Sequence, residues 1–220
     1  MNKREIIEKT KRYVREKLEG ESSGHDWWHT WRVWKMAKRL AKEEKADMFV
    51  VELAALLHDI EDWKYHKGRE NENIKAIKKW LKKQKLPNEI VLRICSAVED
   101  AVFKGEKNKK RARSKEGAIL YDADQLDAIG ALGIARGFMF AGNFKLPMYD
   151  PKIKPLKNML EKQYKNFHRP TYTQINHFYE KLLLQKNIMN TKTGKKIAVL
   201  RHEFMKKYLY NFYQEWEGKL

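Results

Sequence analysis

The chain has 220 residues, 42% hydrophobic and 35% charged: ordinary in apolar content, long enough for a substantial core, and charged enough for helices with solvated faces. Lys and Arg outnumber Asp and Glu by 47 to 29, a formal net charge of +18, so the field of the molecule favours anionic partners such as nucleotides, nucleic acid or an acidic surface. The single cysteine, Cys95 in VLRICSAV, excludes an internal disulfide, and no apolar run approaches the ~20 residues of a membrane-spanning helix. The charged stretch MNKREIIEKTKRYVREKLEG reads as helix rather than signal peptide, so the cytoplasm is the compartment expected and no membrane partner is.

Apolar residues recur with helical rather than alternating period almost throughout. A first helix is expected over about 2–18, ended by Gly20. Asp26 or the Ser22-Ser23 pair caps a second, about 27–44, with Trp28, Val33, Met36, Ala37, Leu40 and Ala41 on or near its inner face. Trp27, Trp28, Trp31 and Trp34 cover more than one face of it, and packing against the C-terminal helices is expected of them rather than base stacking. Asp47 opens a third helix, about 47–61, that ends on His58-Asp59. A polar turn leads to a basic amphipathic helix, about 70–85; Pro87 stops it and starts the next, about 88–103. KGEKNKKRAR reads as an exposed loop. A helix follows from near Ser114 to about Asp127, then one over about 128–141 whose Gly130, Gly133 and Gly137 permit close helix approach. Residues 142–156 hold three of the five prolines and form a connection, followed by helices at about 157–167, 173–187 and 195–217. No strand pattern competes. The expected architecture is one all-α domain over 1–220, with a core at about 22–142 and a C-terminal helical elaboration at about 143–220.

Three segments place metal-ligand residue types at helix ends: His29, the His58-Asp59 pair, and the cluster Asp122, Asp124 and Asp127. An imidazole and a carboxylate closing the apolar run VVELAALL are costly to desolvate unless compensated, and a divalent cation compensates both. Imidazole and carboxylate suit Mn²⁺, Fe²⁺, Co²⁺, Ni²⁺ or Zn²⁺. Two His and two Asp leave open positions for water and a substrate oxygen, as a catalytic site requires, and water acidified by the ion is a nucleophile near neutral pH. Within the acidic cluster Asp124 and Asp127 share a face while Asp122 points elsewhere; one binds the ion and the others orient ligands or cap helices. Asp62 and Glu61 stand to position or deprotonate the attacking water. Arg32, on an otherwise apolar face one turn beyond His29, needs an anionic partner, either a substrate phosphate or the acidic cluster. Lys64, Lys104, Lys181 and Arg201 are candidate phosphate contacts, and His25 either stands beside the ion or belongs only to the first turn of its helix.

These motifs together resemble the HD-domain superfamily of metal-dependent phosphohydrolases, whose pattern is H…HD…D. They are His29 in HTWRVWKMA, His58-Asp59 in AALLHDIEDWK and Asp124 in YDADQLDAIGAL, in that order and each in helical context. The stretch INHFYEKLLLQKNIMNTKTGKKIAVLRHEF is similar to a small bacterial and archaeal subgroup, so the resemblance runs from about residue 22 to about 216. It implies an HD-type helical core in which His29, His58, Asp59 and Asp124 ligate one divalent ion. Mn²⁺ is expected first, with Mg²⁺, Co²⁺, Ni²⁺, Fe²⁺ and Zn²⁺ as alternatives. It implies hydrolysis of a phosphorylated small molecule. Subgroup members that split triphosphates to monophosphate and pyrophosphate point to a nucleotide, and to (d)NTP pyrophosphohydrolysis. Two other readings stand beside it: an HD phosphodiesterase acting on RNA ends or cyclic nucleotides, and a basic nucleic-acid-binding protein with a non-catalytic metal site. One departure is the acidic Val98-Glu99-Asp100 run, where the resemblance implies a neutral, serine-containing stretch.

Overall fold

The computed structural model describes residues 2–20, 24–60, 72–101, 112–157, 159, 163 and 166–220. Among these the helical periodicity becomes nine α-helices and no strand: α1 Lys3–Lys17, α2 Trp27–Glu44, α3 Met48–Leu57, α4 Glu72–Lys83, α5 Asn88–Ala101, α6 Lys115–Asp127, α7 Gly130–Asn143, α8 Gln174–Glu180 and α9 Lys192–Trp216. A 3₁₀ turn, Leu182–Asn187, lies between the last two. The protein is all-α. Its helices form two compact units that divide inside α6, the first reaching Asp124 and the second starting at Gln125.

The first unit is organised by α3. This helix is apolar all round, as a fully enclosed helix must be, and every residue from Phe49 to Leu57 is buried against α1, α2 and α5. Truncating Leu53, Leu56 or Leu57 to alanine would cost roughly 2–5 kcal/mol each. The one carboxylate on α3, Glu52, is met by the Trp34 Nε1–H at 2.9 Å and by Lys38 at 3.5 Å. Asp47 caps α3 by accepting from the Phe49 and Val50 amides, and Arg93 from α5 holds its other oxygen at 3.0 Å. The tryptophans of α2 divide: Trp34 is buried, the rings of Trp27, Trp31 and Trp34 follow one another in tilted contact, Lys11 of α1 lies over two of them, and Trp28 is exposed. The acidic Glu99-Asp100 pair has a local purpose, since both carboxylates receive the Arg113 guanidinium, at 2.9 and 2.7 Å.

In the second unit α7 and α9 pack together, as do α8 and the 3₁₀ turn. Gly130 adopts φ +79°, a left-handed conformation that glycine takes without strain, and so separates α7 from α6. Gly137 lets the Gln174 side chain approach where a Cβ would collide, whereas Gly133 faces the preceding backbone at Ala128.

Three boundaries differ from the sequence expectation. The helix expected over about 47–61 ends at Leu57, because the His58 ring takes the Ala55 carbonyl at 2.8 Å, which a continuing helix would give to the next turn's amide. The segment 173–187 is two pieces, broken at Lys181, where φ −140° and ψ −58° leave the helical region. The last helix begins earlier, at Lys192, because Thr191 accepts from the Gly194 amide at 2.9 Å and caps it. The helix expected over about 157–167 and the loop KGEKNKKRAR fall largely outside the described residues.

Candidate metal centre

Three helix ends of the first unit supply the site. Asp26 caps α2 by accepting from the His29 amide at 2.8 Å, which sets His29 in the first helical turn. His58 is the C-cap of α3, where the outward-facing carbonyls favour positive charge. Asp124 lies in the last turn of α6.

The side chains converge. His29 Nε2 and His58 Nε2 are 3.3 Å apart. Asp59 Oδ2 stands 3.6 Å from His29 Nε2 and 3.7 Å from His58 Nε2; Asp124 Oδ1 stands 3.6 and 4.0 Å from the same two atoms. His58 donates Nδ1–H to the Ala55 carbonyl, so its Nε2 presents a lone pair inward, the tautomer a metal requires. Donors ~2.1 Å from a common ion lie about 3.0 Å apart at right angles and about 3.4 Å apart at the tetrahedral angle. The separations here are therefore those of a ligand set slightly open around an ion-sized space. His29, His58 and Asp59 form a group able to hold a metal ion, their donor atoms all within 4.8 Å of one another.

Burial gives the site a direction. The imidazoles are 0% and 5% exposed and form its floor, while the Asp59 and Asp124 side chains, 24% and 26% exposed, form a rim reached by solvent. A purely structural ion would be enclosed; this arrangement leaves an approach for a reactant. Burial by itself would raise the Asp59 carboxyl, but the His58 and His29 imidazoles, with His25 beyond, outweigh it and hold the group well below the ordinary carboxylate range. His25 lies edge-on to the His29 ring at 5.5 Å between centroids, so it joins the electrostatics of the cluster.

The acidic trio sorts itself by partner. Asp124 faces the imidazoles, Asp122 is fully buried, and Asp127, in the second unit, is paired with Arg136 at 2.8 Å. Arg32 is half-buried on α2. Lys181 and Arg201 belong to the second unit. There Arg201 donates to the Leu126 carbonyl at the end of α6 and packs its stem over Gly130, so part of this side chain closes a helix end. Asp62, Glu61, Lys64 and Lys104 lie outside the described residues. One contributor has no sequence signature: the Asn73 side-chain amide donates to the His58 carbonyl at 2.5 Å, tying the start of α4 to the His-Asp turn. An asparagine beside a helix start reads as a cap, and its partner 15 residues away is set only by the fold.

The family model for the HD domain matches residues 27–129, from the first residue of α2 to just beyond α6, and so takes in all four converging residues. YpgQ of Bacillus subtilis, an uncharacterized protein, is 34% identical over 219 residues, covering 90% of this chain and 87% of its own length. Among solved structures, a Lactobacillus plantarum protein superposes with TM-score 0.84 at 34% identity, covering 97% of both chains. An HD-superfamily hydrolase of Bacillus thuringiensis gives TM-score 0.74 at 36% identity, covering 98% of this chain and 99% of its own. YpgQ has been solved in complex with ADP; that structure gives TM-score 0.73 at 31% identity, covering 95% of this chain and 97% of its own.

Proposed function

The chain belongs to the HD-domain superfamily, and on that premise we propose that it is a metal-dependent phosphohydrolase acting on a nucleotide. The observation that carries this reading is the convergence of two imidazole nitrogens and two carboxylate oxygens on one point, with the nitrogens buried and the oxygens open to solvent.

His29, His58, Asp59 and Asp124 would hold one divalent ion, Mn²⁺ in the first instance. When bound, such an ion supplies Lewis-acid polarisation of a phosphoryl oxygen and lowers the pKa of water. The remaining work falls to the chain. The Asp26 cap, the Ala55 carbonyl and the Asn73 amide fix the two histidines, so little reorganisation accompanies binding. Two carboxylates neutralise a divalent cation, so the charge of a polyphosphate must be met by other residues; we assign Arg32, Lys64, Lys104, Lys181 and Arg201 to that role. Asp62, or Glu61 beside it, accepts a proton from the attacking water and orients it. The ADP bound by YpgQ supports a nucleoside polyphosphate as the substrate class, and release of pyrophosphate from a (d)NTP is the reaction we favour.

The test is turnover on a panel of NTPs, dNTPs, monophosphates and cyclic nucleotides with Mn²⁺, Mg²⁺, Co²⁺ or Ni²⁺. Pyrophosphate release by the native chain and none by Asp59→Ala is the expected result. Silence across the whole panel, with metal bound, would remove the nucleotide reading; failure to bind any metal would remove the site itself.

A further inference from the structure

The first unit carries a second feature, built by residues that take no part in the His-Asp cluster. Helix α4 is pinned to α1: the Trp80 Nε1–H donates to Thr10 Oγ1 at 3.0 Å, and the Tyr13 and Trp80 rings stack face to face, 3.9 Å between centroids and 5° from parallel. A groove of about 660 Å³ opens over this stack. Lys9, Arg12 and Glu16 line it from α1 and Lys83 from α4. Both helices are strongly basic, with seven cationic against three anionic residues in α1 and five against one in α4. Lys9 is paired with Glu5 at 2.6 Å, but neither Arg12 nor Lys83 has an ion-pair partner among the described residues, and both are exposed. Cationic walls on either side of ordered aromatic rings are what a single nucleic-acid strand requires: the cations follow phosphates and the rings accept bases, whatever the sequence. An anionic bilayer fits less well, because the aromatic rings are half-buried between charged side chains rather than presented on an apolar face.

We propose that the α1–α4 groove binds single-stranded nucleic acid, with Arg12 and Lys83 contacting phosphates and the Tyr13–Trp80 stack receiving a base. The site is separate from the metal centre and does not depend on its chemistry.

The experiment is fluorescence anisotropy of labelled oligo-dT and oligo-U with the full chain at physiological ionic strength. Arg12→Glu with Lys83→Glu is compared with Lys196→Glu with Lys207→Glu, which changes the net charge equally at exposed positions of α9. The groove pair should weaken binding about tenfold or more and the α9 pair less than about threefold. Tyr13→Leu, which keeps an apolar contact but removes the π-face, should weaken oligonucleotide binding about fivefold and leave inorganic polyphosphate unaffected. Equal losses from the two charge reversals would overturn the proposal, since the general field of the protein would then account for binding. So would Tyr13→Leu weakening polyphosphate as much as the oligonucleotides, or anionic phosphatidylserine vesicles showing the same dependence on Arg12 and Lys83. EDTA should change none of these affinities, so failure here and failure of the metal centre are separately visible.

Discussion

The molecule partners its carboxylates in two different ways. In the second unit each has a guanidinium of its own: Glu180 receives the Leu156 amide at 3.0 Å and the Arg169 guanidinium, and Asp127 is matched by Arg136 at 2.8 Å. These are closed accounts of charge. In the first unit, Asp59 and Asp124 face two imidazoles whose nitrogens also face each other at 3.3 Å, and no lysine or arginine is paired with Asp59 among the described residues. Internal ion pairs hold a fold in place. A set of donors turned toward one point calls for a shared positive charge, which a divalent ion supplies to all of them at once, and the contrast separates structure from candidate chemistry more sharply than burial does.

The comparison breaks first at Asp59. Asp59→Ala should reduce metal-dependent pyrophosphate release by about 10³-fold or more, because the ion loses an anionic ligand. Metal added at ~100 times its Kd should raise the native melting temperature by roughly 5–10 °C and leave the variant nearly unmoved. An unfolded Asp59→Ala chain, seen by circular dichroism, would mean that the carboxylate is structural after all.

On the other side of the comparison, Arg169→Met should destabilise the fold by roughly 3–5 kcal/mol in chemical denaturation, since it strands a buried carboxylate. Its pH dependence has a definite sign. Burial pushes the Glu180 carboxyl above the ordinary glutamate value despite Leu156 and Arg169, so folding binds this proton more tightly than the unfolded chain does. That contribution is present at acid pH and lost as pH rises through the folded pKa. Without the guanidinium the loss steepens, so the deficit of Arg169→Met relative to the native chain should widen from pH ~4 to neutrality.

A smaller effect belongs to Asn73. Asn73→Ala leaves every proposed ligand in place but frees the His58 carbonyl, and metal affinity measured by calorimetry should fall about tenfold with little change in stability. No change would mean that the His-Asp turn holds its own shape.

The smallest effect is at His202. Burial, aided by Lys186, pushes its imidazole below the ordinary histidine value, and its Nδ1 is buried without a hydrogen bond among the described residues. A depressed pKa means that stability is lost as pH falls below about 6.5, where the unfolded chain takes up the proton first. His202→Gln should flatten the stability profile between pH ~7 and ~5.5 in thermal melts; an unchanged slope would place that titration elsewhere.

Much of this was legible in the order of residues. Asp47 announced the start of α3 because short polar side chains satisfy free amides at a helix N-terminus; for α2 the sequence offered Asp26 or Ser22-Ser23, and Asp26 is the cap; Pro87 marked the break before α5. The run VVELAALL before His58, apolar but for Glu52, identified a helix with a buried end, and the structure encloses it on every side. Other features have partners distant in sequence and could not be read locally. Arg201, a phosphate candidate by its type, donates to Leu126, 75 residues away. The Glu99-Asp100 run, an oddity on the page, is explained by Arg113 across a segment whose length says nothing of its path.

The sequence by itself determined the helices, because propensity, capping and a 3.6-residue apolar period act over a few neighbours. It also determined which residue types stand at their ends. Residue spacing left open which of Asp122, Asp124 and Asp127 meets the imidazoles and the family resemblance pointed to Asp124; it is the tertiary structure that turns Asp124 toward them, since that depends on the rotation of α6 about its own axis. That rotation is set by what the helix packs against, and about 100° separates one residue from the next on a helix.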